Sequence, residues 1–107
     1  MADLRNASKR QLGASELRIA PIGLGCMSFS GVYGKSDDAA AITMIGQAID
    51  DLGVDILDSS DMYGWGHNET LLGKALAGRR ERAVVTSKVG NLVGQGPDDG
   101  GLGRKHV

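Results

Sequence analysis

The sequence predicts an α/β protein built on a parallel sheet. Two observations carry this. Short apolar runs alternate with longer amphipathic segments, in the order hairpin, strand, helix, strand, helix, strand. Glycines punctuate the segments, with Gly53 after the first amphipathic stretch and Gly78 after the second, where a helix end favours a left-handed residue. Crossovers between parallel strands of this kind are right-handed.

Each element has a local reason. Met1 to Arg10 is polar, lacks the apolar core of a secretory signal and is expected to be flexible. Residues 11–20 read as a hairpin. Gly13 to Glu16 form its turn, and Leu17 and Ile19 alternate with polar or small neighbours. Pro21 ends it, and Ile22 to Cys26 form a small apolar strand whose glycines mark a close backbone approach. Met27 to Gly34 read as a loop, and Ser36 or Asp37 can cap the helix that follows. In that helix Ile42, Ile45, Ile49 and Leu52 recur at three- and four-residue spacing, giving one apolar stripe. Val54 to Leu57 is the next strand, and Asp58 to His67 a polar loop. Asn68 can cap a second helix, with Leu71, Leu72, Ala75 and Leu76 on one face. Ala83 to Ser87 is the last strand. Periodicity stops at Gly90, so the chain divides into a flexible start (1–10), a folded unit (11–89) and a Gly-rich loop or disordered tail (90–107).

Composition narrows the functional classes. With 107 residues, 41% hydrophobic and 23% charged, the chain is an ordinary single domain by size and polarity. A net charge of -1 gives no footprint for nucleic acid or an anionic membrane. Arg79, Arg80 and Arg82 follow a predicted helix, where basic residues complement its C-terminus. No run approaches the roughly 20 apolar residues of a membrane span. The single cysteine, Cys26, rules out an internal disulfide and suits a reducing cytoplasm. No residue is read as a metal ligand.

The chemistry concentrates at strand ends. Asp58 closes one strand, Tyr63 follows in the loop, and Lys88 closes the next strand. Neighbouring parallel strands deliver their C-terminal ends to one edge, so the three converge there. A phenol, with a pKa near ~10, is a weak acid at neutral pH, and an adjacent ammonium favours its ionised form. A carboxylate paired with that ammonium orients it. Such a trio can protonate a carbonyl oxygen that accepts a hydride. Cys26 has no base beside it in the sequence and reads as a small buried residue. His67 reads as a loop residue at the pocket rim.

These residues carry a resemblance. Asp58, Tyr63-Gly64, Gly66, Asn68-Glu69, Leu71-Leu72-Gly73, Ala75-Leu76 and Thr86-Ser87-Lys88 follow in order. With Leu12-Gly13, Ser15 and Pro21 to Met27, the pattern resembles the aldo-keto reductase family over about residues 10–90. The segment Gly64 to Glu69 is most similar to bacterial members acting on small aldehydes and ketones. The resemblance implies a TIM barrel with an N-terminal hairpin across its bottom, reducing carbonyls to alcohols with NADPH. It further implies Tyr63 as general acid, Lys88 as the group that tunes it, and Asp58 as the partner of Lys88. Gly25, Cys26, Met27 and Asp58 would then lie near the nicotinamide of NADP(H). The family's fourth site residue is a His at the end of the fourth strand. Neither His67 nor His106 occupies that place.

Length sets a limit. A closed (β/α)8 barrel takes about 250 residues, and its phosphate site comes from the loops after its seventh and eighth strands. Three strands and two helices are the N-terminal part of an incomplete barrel. The chain is therefore expected to be an N-terminal fragment, inactive alone. Open sheet edges, with Ile56, Leu57, Val84 and Val85 exposed, would favour self-association. The alternative reading is a non-catalytic fragment that self-associates or binds a partner through its open sheet, with reductase-like potassium-channel β subunits as the precedent that the resemblance supplies. A small dinucleotide-binding domain is disfavoured, because Gly25 to Ser36 lacks the tight G-x-G-x-x-G turn.

Overall fold

The computed structural model of the chain describes residues 4–31 and 36–91. Strands β1 (Arg10–Gln11) and β2 (Arg18–Ile19) form the hairpin, paired antiparallel with Arg10 opposite Ile19. Three further strands, β3 (Leu24–Gly25), β4 (Ile56–Asp58) and β5 (Val84–Thr86), form a parallel sheet in that order. Helix α1 (Asp38–Asp50) connects β3 to β4, and α2 (His67–Ala75) connects β4 to β5. The hairpin is tied to the sheet through Asp55, whose Oδ1 accepts the Ala20 N–H at 2.9 Å and whose Oδ2 lies 2.9 Å from Lys9 Nζ.

Register decides which side chains are covered. Leu24, Leu57 and Val85 share one row across the sheet, and Gly25, Asp58 and Thr86 share the next. The first row packs in the core with Ile45, Ile49, Leu71, Leu72 and Leu76. Leu57, expected to be exposed, is therefore fully buried, and Val85 packs against the same cluster. The helices cover that face. Burying each large aliphatic side chain there contributes about 1.5–3 kcal/mol.

The helix ends differ in detail from the sequence reading. Asp37 caps α1, its carboxylate accepting the Ala39 N–H at 2.9 Å, while the Ser36 hydroxyl donates to the Phe29 carbonyl instead. Asn68 does not cap α2. Gly66 holds that position at φ 102°, and Asn68 lies in the first turn with its side chain fully buried. Its amide is engaged by the strand ends, so it is not free to turn back on its own helix. Met27–Ser30, expected as loop, is a one-turn 3-10 helix that buries Phe29 and stops at Gly31, φ 81°. A second 3-10 turn spans Arg80–Arg82. Arg79 donates to the Ala75 carbonyl at the end of α2 (2.6 Å) and to Asp50 Oδ2 at the end of α1 (2.9 Å). Arg82 joins the same carboxylate. Arg79 and Arg82 thus gather at helix C-terminal ends, as their position predicts, whereas Arg80 donates to the Ala83 carbonyl.

Part of the stretch expected to be flexible is docked. Leu4 is buried, and its N–H donates to the Leu52 carbonyl at 2.7 Å. Gly53, at φ 80°, lets this segment pass, since a Cβ there would meet the Arg5 nitrogen at 2.6 Å. The Gly-rich tail beyond Asn91, and His106 with it, lie outside the described residues.

Candidate active site

The trio converges because β4 and β5 are parallel neighbours in register. Asp58 is the last residue of β4, opposite Thr86, and Lys88 follows two residues beyond Thr86. Lys88 Nζ donates to Asp58 Oδ2 at 2.9 Å, to the Ser59 carbonyl at 2.8 Å and to Tyr63 Oη at 3.2 Å. An ammonium has three N–H donors, and all three are spent here. Tyr63 accepts in its contact, so its own hydroxyl proton stays free to be donated elsewhere. The ammonium also lies 4.9 Å from the centre of the Tyr63 ring, where the negative face of the ring attracts it.

The backbone around the trio is fixed by bonds between strand ends. Ser59 N–H donates to the Thr86 carbonyl at 2.8 Å, Cys26 N–H to the Asp58 carbonyl at 2.9 Å, and Asp61 N–H to the Lys88 carbonyl at 3.1 Å. Asn91 donates to Asp61 from its side-chain amide at 2.7 Å, which holds the chain beyond Lys88 against the Tyr63 loop. That contact keeps the Asp61 carboxyl below the usual carboxylate range.

Charge in the site follows the contacts. The Thr86 hydroxyl, 2.6 Å from Asp58 Oδ1, and then Lys88 hold the Asp58 carboxyl below its ordinary pKa. The Asp58 hydrogen bond, and then that of Tyr63, raise Lys88 above the ordinary lysine value. Both shifts favour the ion pair. Ser59 was not singled out by the sequence reading, and Thr86 entered it only as part of the family pattern, not as a site residue. Their signal is positional: each neighbours Asp58, one across the register and one along the chain.

The other expected site residues divide. Gly25 lies beside Asp58 in the register, and a Cβ at Gly25 would touch nothing within 4 Å among the described residues. Gly23, Leu24, Gly25, Ile56, Asp58 and Thr86 line an open groove of about 340 Å³. Cys26 turns away from solvent, fully buried, and burial pushes its thiol up to about 11. Only its backbone can face a ligand. Met27 opens the 3-10 turn. His67 is not in the loop but begins α2, with Nδ1 2.7 Å from Ser30 Oγ and Nε2 2.8 Å from Asp38 Oδ1. It bridges helix ends rather than joining the trio.

Comparison with known proteins agrees with this fold. The sequence profile of the Aldo/keto reductase family matches residues 21–106. The uncharacterized oxidoreductase YqkF of Bacillus subtilis is 38% identical over 90 residues, which is 84% of this chain and 28% of that protein. The holo form of aldo-keto reductase AKR11C1 from Bacillus halodurans superposes with a TM-score of 0.69 at 39% identity, over 86% of this chain and 29% of that one. An aldo-keto reductase from Klebsiella pneumoniae, solved in complex with NADPH, has a TM-score of 0.51 at 29% identity, over 67% and 24% of the two chains. The chain spans less than a third of the length of each of these relatives. Its hairpin, three parallel strands and two helices correspond to part of a TIM barrel, and the chain belongs to the aldo/keto reductase family.

Proposed function

We propose that this chain carries the proton-donor corner of an NADPH-dependent carbonyl reductase. The observation that supports it most is the complete use of the Lys88 ammonium by Asp58, Ser59 and Tyr63. When bound, NADPH supplies the hydride that reduces the carbonyl carbon of a small aldehyde or ketone. Tyr63 Oη then gives its proton to the carbonyl oxygen, and the alcohol leaves with both hydrogens. The negative charge left on Tyr63 Oη is met by the N–H that Lys88 already directs at it. Asp58 holds the ammonium in place and compensates its charge.

The residues fit the nicotinamide end of the cofactor. Gly25 has open space where a side chain would stand, and the groove beside Asp58 is large enough to receive a flat ring. Gly25, the backbone of Cys26, Met27 and Asp58 would hold that end. The phosphates call for later loops of a barrel.

Mixed with NADPH and a reactive aldehyde, the isolated chain is expected to consume no more nicotinamide than a Tyr63→Phe control. Joined to the remaining part of a homologous reductase barrel, it is expected to turn over, and Tyr63→Phe to lower kcat by about 10²–10⁴-fold. Undiminished turnover in the joined Tyr63→Phe protein would refute the reading.

A second reading rests on an apolar groove of about 370 Å³ between β3 and α1, with Ile22 59% and Met44 53% exposed at its rim. Such a face favours self-association of the isolated chain. Size-exclusion chromatography should then show a defined oligomer, and a stable monomer would count against it.

A further inference from the structure

Asn68 is fully buried, and each polar group of its side chain has a partner. Its Nδ2 donates to the Cys26 carbonyl at 2.7 Å and to Ser30 Oγ at 2.9 Å, and its Oδ1 accepts the Ser59 hydroxyl at 2.6 Å. Its backbone N–H donates to the Tyr63 carbonyl at 3.1 Å. One residue therefore joins the end of β3, the 3-10 turn, the end of β4 and the Tyr63 loop. A cap would satisfy one helix N–H, whereas these bonds reach four other segments.

The connection leads to the trio by a short path. Ser59 is gripped by Asn68 through its hydroxyl, by Thr86 through its N–H and by Lys88 through its carbonyl. Tyr63 is gripped by Asn68 through its carbonyl. Of the two anchors that set where Lys88 Nζ and Tyr63 Oη meet, Ser59 is held by the Asn68 side chain and Tyr63 by the Asn68 backbone N–H. We propose that Asn68 is a positioning residue for the Tyr63–Lys88 contact, its side chain acting through Ser59. This rests on the reductase reading of the trio, but it concerns geometry and not turnover.

The backbone N–H at this position survives substitution, so Asn68→Ala keeps the bond to the Tyr63 carbonyl while releasing Cys26, Ser30 and Ser59. The readout is the NOE between the Lys88 ε-methylene protons and the Tyr63 ring protons in the 107-residue chain. With Nζ 3.2 Å from Tyr63 Oη and 4.9 Å from the ring centre, those protons lie within NOE range of one another. The NOE is expected in the wild type. Asn68→Ala is expected to lose it while amide shifts in α1 and β4 stay native. A residue that merely stabilised α2 would lower the melting temperature and leave the NOE unchanged in the folded protein.

A folded Asn68→Ala with the wild-type NOE overturns the proposal, as does a wild-type chain with no NOE. Should Asn68→Ala fail to fold, Ser59→Ala removes a single bond of the hub. It is expected to weaken the NOE, and full retention there overturns the proposal equally. Failure of the turnover test with the NMR result intact would remove the reductase reading and leave the positioning role standing.

Discussion

Lys88 Nζ lies 2.9 Å from Asp58 Oδ2, although thirty residues separate them in the chain. Both side chains are about half exposed, so the pair contributes little to stability, about 0.2–1 kcal/mol by the behaviour of exposed ion pairs. Its consequence is electrostatic. Lys88 is held above the ordinary lysine pKa, first by Asp58 and then by Tyr63. A raised ammonium contributes stability that is full below the unfolded value of about 10.4 and is lost as pH rises through the folded value. Asp58→Asn is expected to bring Lys88 back toward the ordinary range. Titration of the Lys88 side chain by NMR checks this, and an unchanged midpoint would show that Asp58 does not hold the ammonium.

Cys26 is expected to be inert in the folded protein. It is fully buried, and burial is the main cause of a thiol pKa near 11. At pH 8 the thiolate fraction is on the order of 10⁻³, and the thiolate is the reactive form. Iodoacetamide should leave the folded chain unmodified at pH 8 and label it in urea. The sign of the linkage follows: between an unfolded value of about 8.5 and the folded value, the native state holds the extra proton. Stability contributed by the neutral thiol is therefore lost as pH rises through that window. Rapid labelling of the folded protein would contradict the burial.

The convergence of Asp58, Tyr63 and Lys88 was legible in the sequence because it needs only two parallel strands of known end points. The helices were legible for the same kind of reason, since Ile45, Ile49, Leu71 and Leu72 recur at helical spacing and are buried. What the sequence hid depends on register and on competition between partners. Leu57 was expected to be exposed because an open barrel leaves one sheet face bare. Parity instead places it on the helix-covered face, and Asp58 on the next row. Asn68 has the composition of a helix cap, but a local cap lost to three longer-range side-chain bonds. Leu4 looked free because nothing in a polar decapeptide shows that Gly53 leaves room for it.

Gly53 and Gly78 separate two costs that are usually confounded. Both have φ of 80°, where a residue with a Cβ is strained by roughly 1–2 kcal/mol. At Gly78 a Cβ meets nothing within 4 Å among the described residues, whereas at Gly53 it meets the Arg5 nitrogen at 2.6 Å and the Leu4 carbonyl carbon at 2.8 Å. Gly78→Ala should show the backbone cost alone. Gly53→Ala should add about 1–3 kcal/mol for overpacking and expel the Leu4 segment. Urea unfolding gives both values, and exchange of the Leu4 amide reports the expulsion. Equal costs at the two sites would mean that the segment is not packed on Gly53.

Thr86 sets the plane of the Asp58 carboxylate. Its hydroxyl donates to Oδ1 at 2.6 Å, which leaves Oδ2 facing Lys88, and it is the first cause of the depressed Asp58 pKa. Valine keeps the β-branched shape that suits a strand and deletes only the donor. In Thr86→Val the Asp58 carboxyl should therefore titrate closer to the ordinary value of about 3.9, yet stay below it because Lys88 remains. A depressed carboxyl contributes stability that is present above the unfolded value and lost as pH falls through the folded one. The acid-side loss of stability should be shallower in Thr86→Val than in the wild type. Carboxyl carbon NMR of Asp58 measures the midpoint directly. An Asp58 midpoint unmoved by Thr86→Val would assign the depression to Lys88 alone and remove Thr86 from the site.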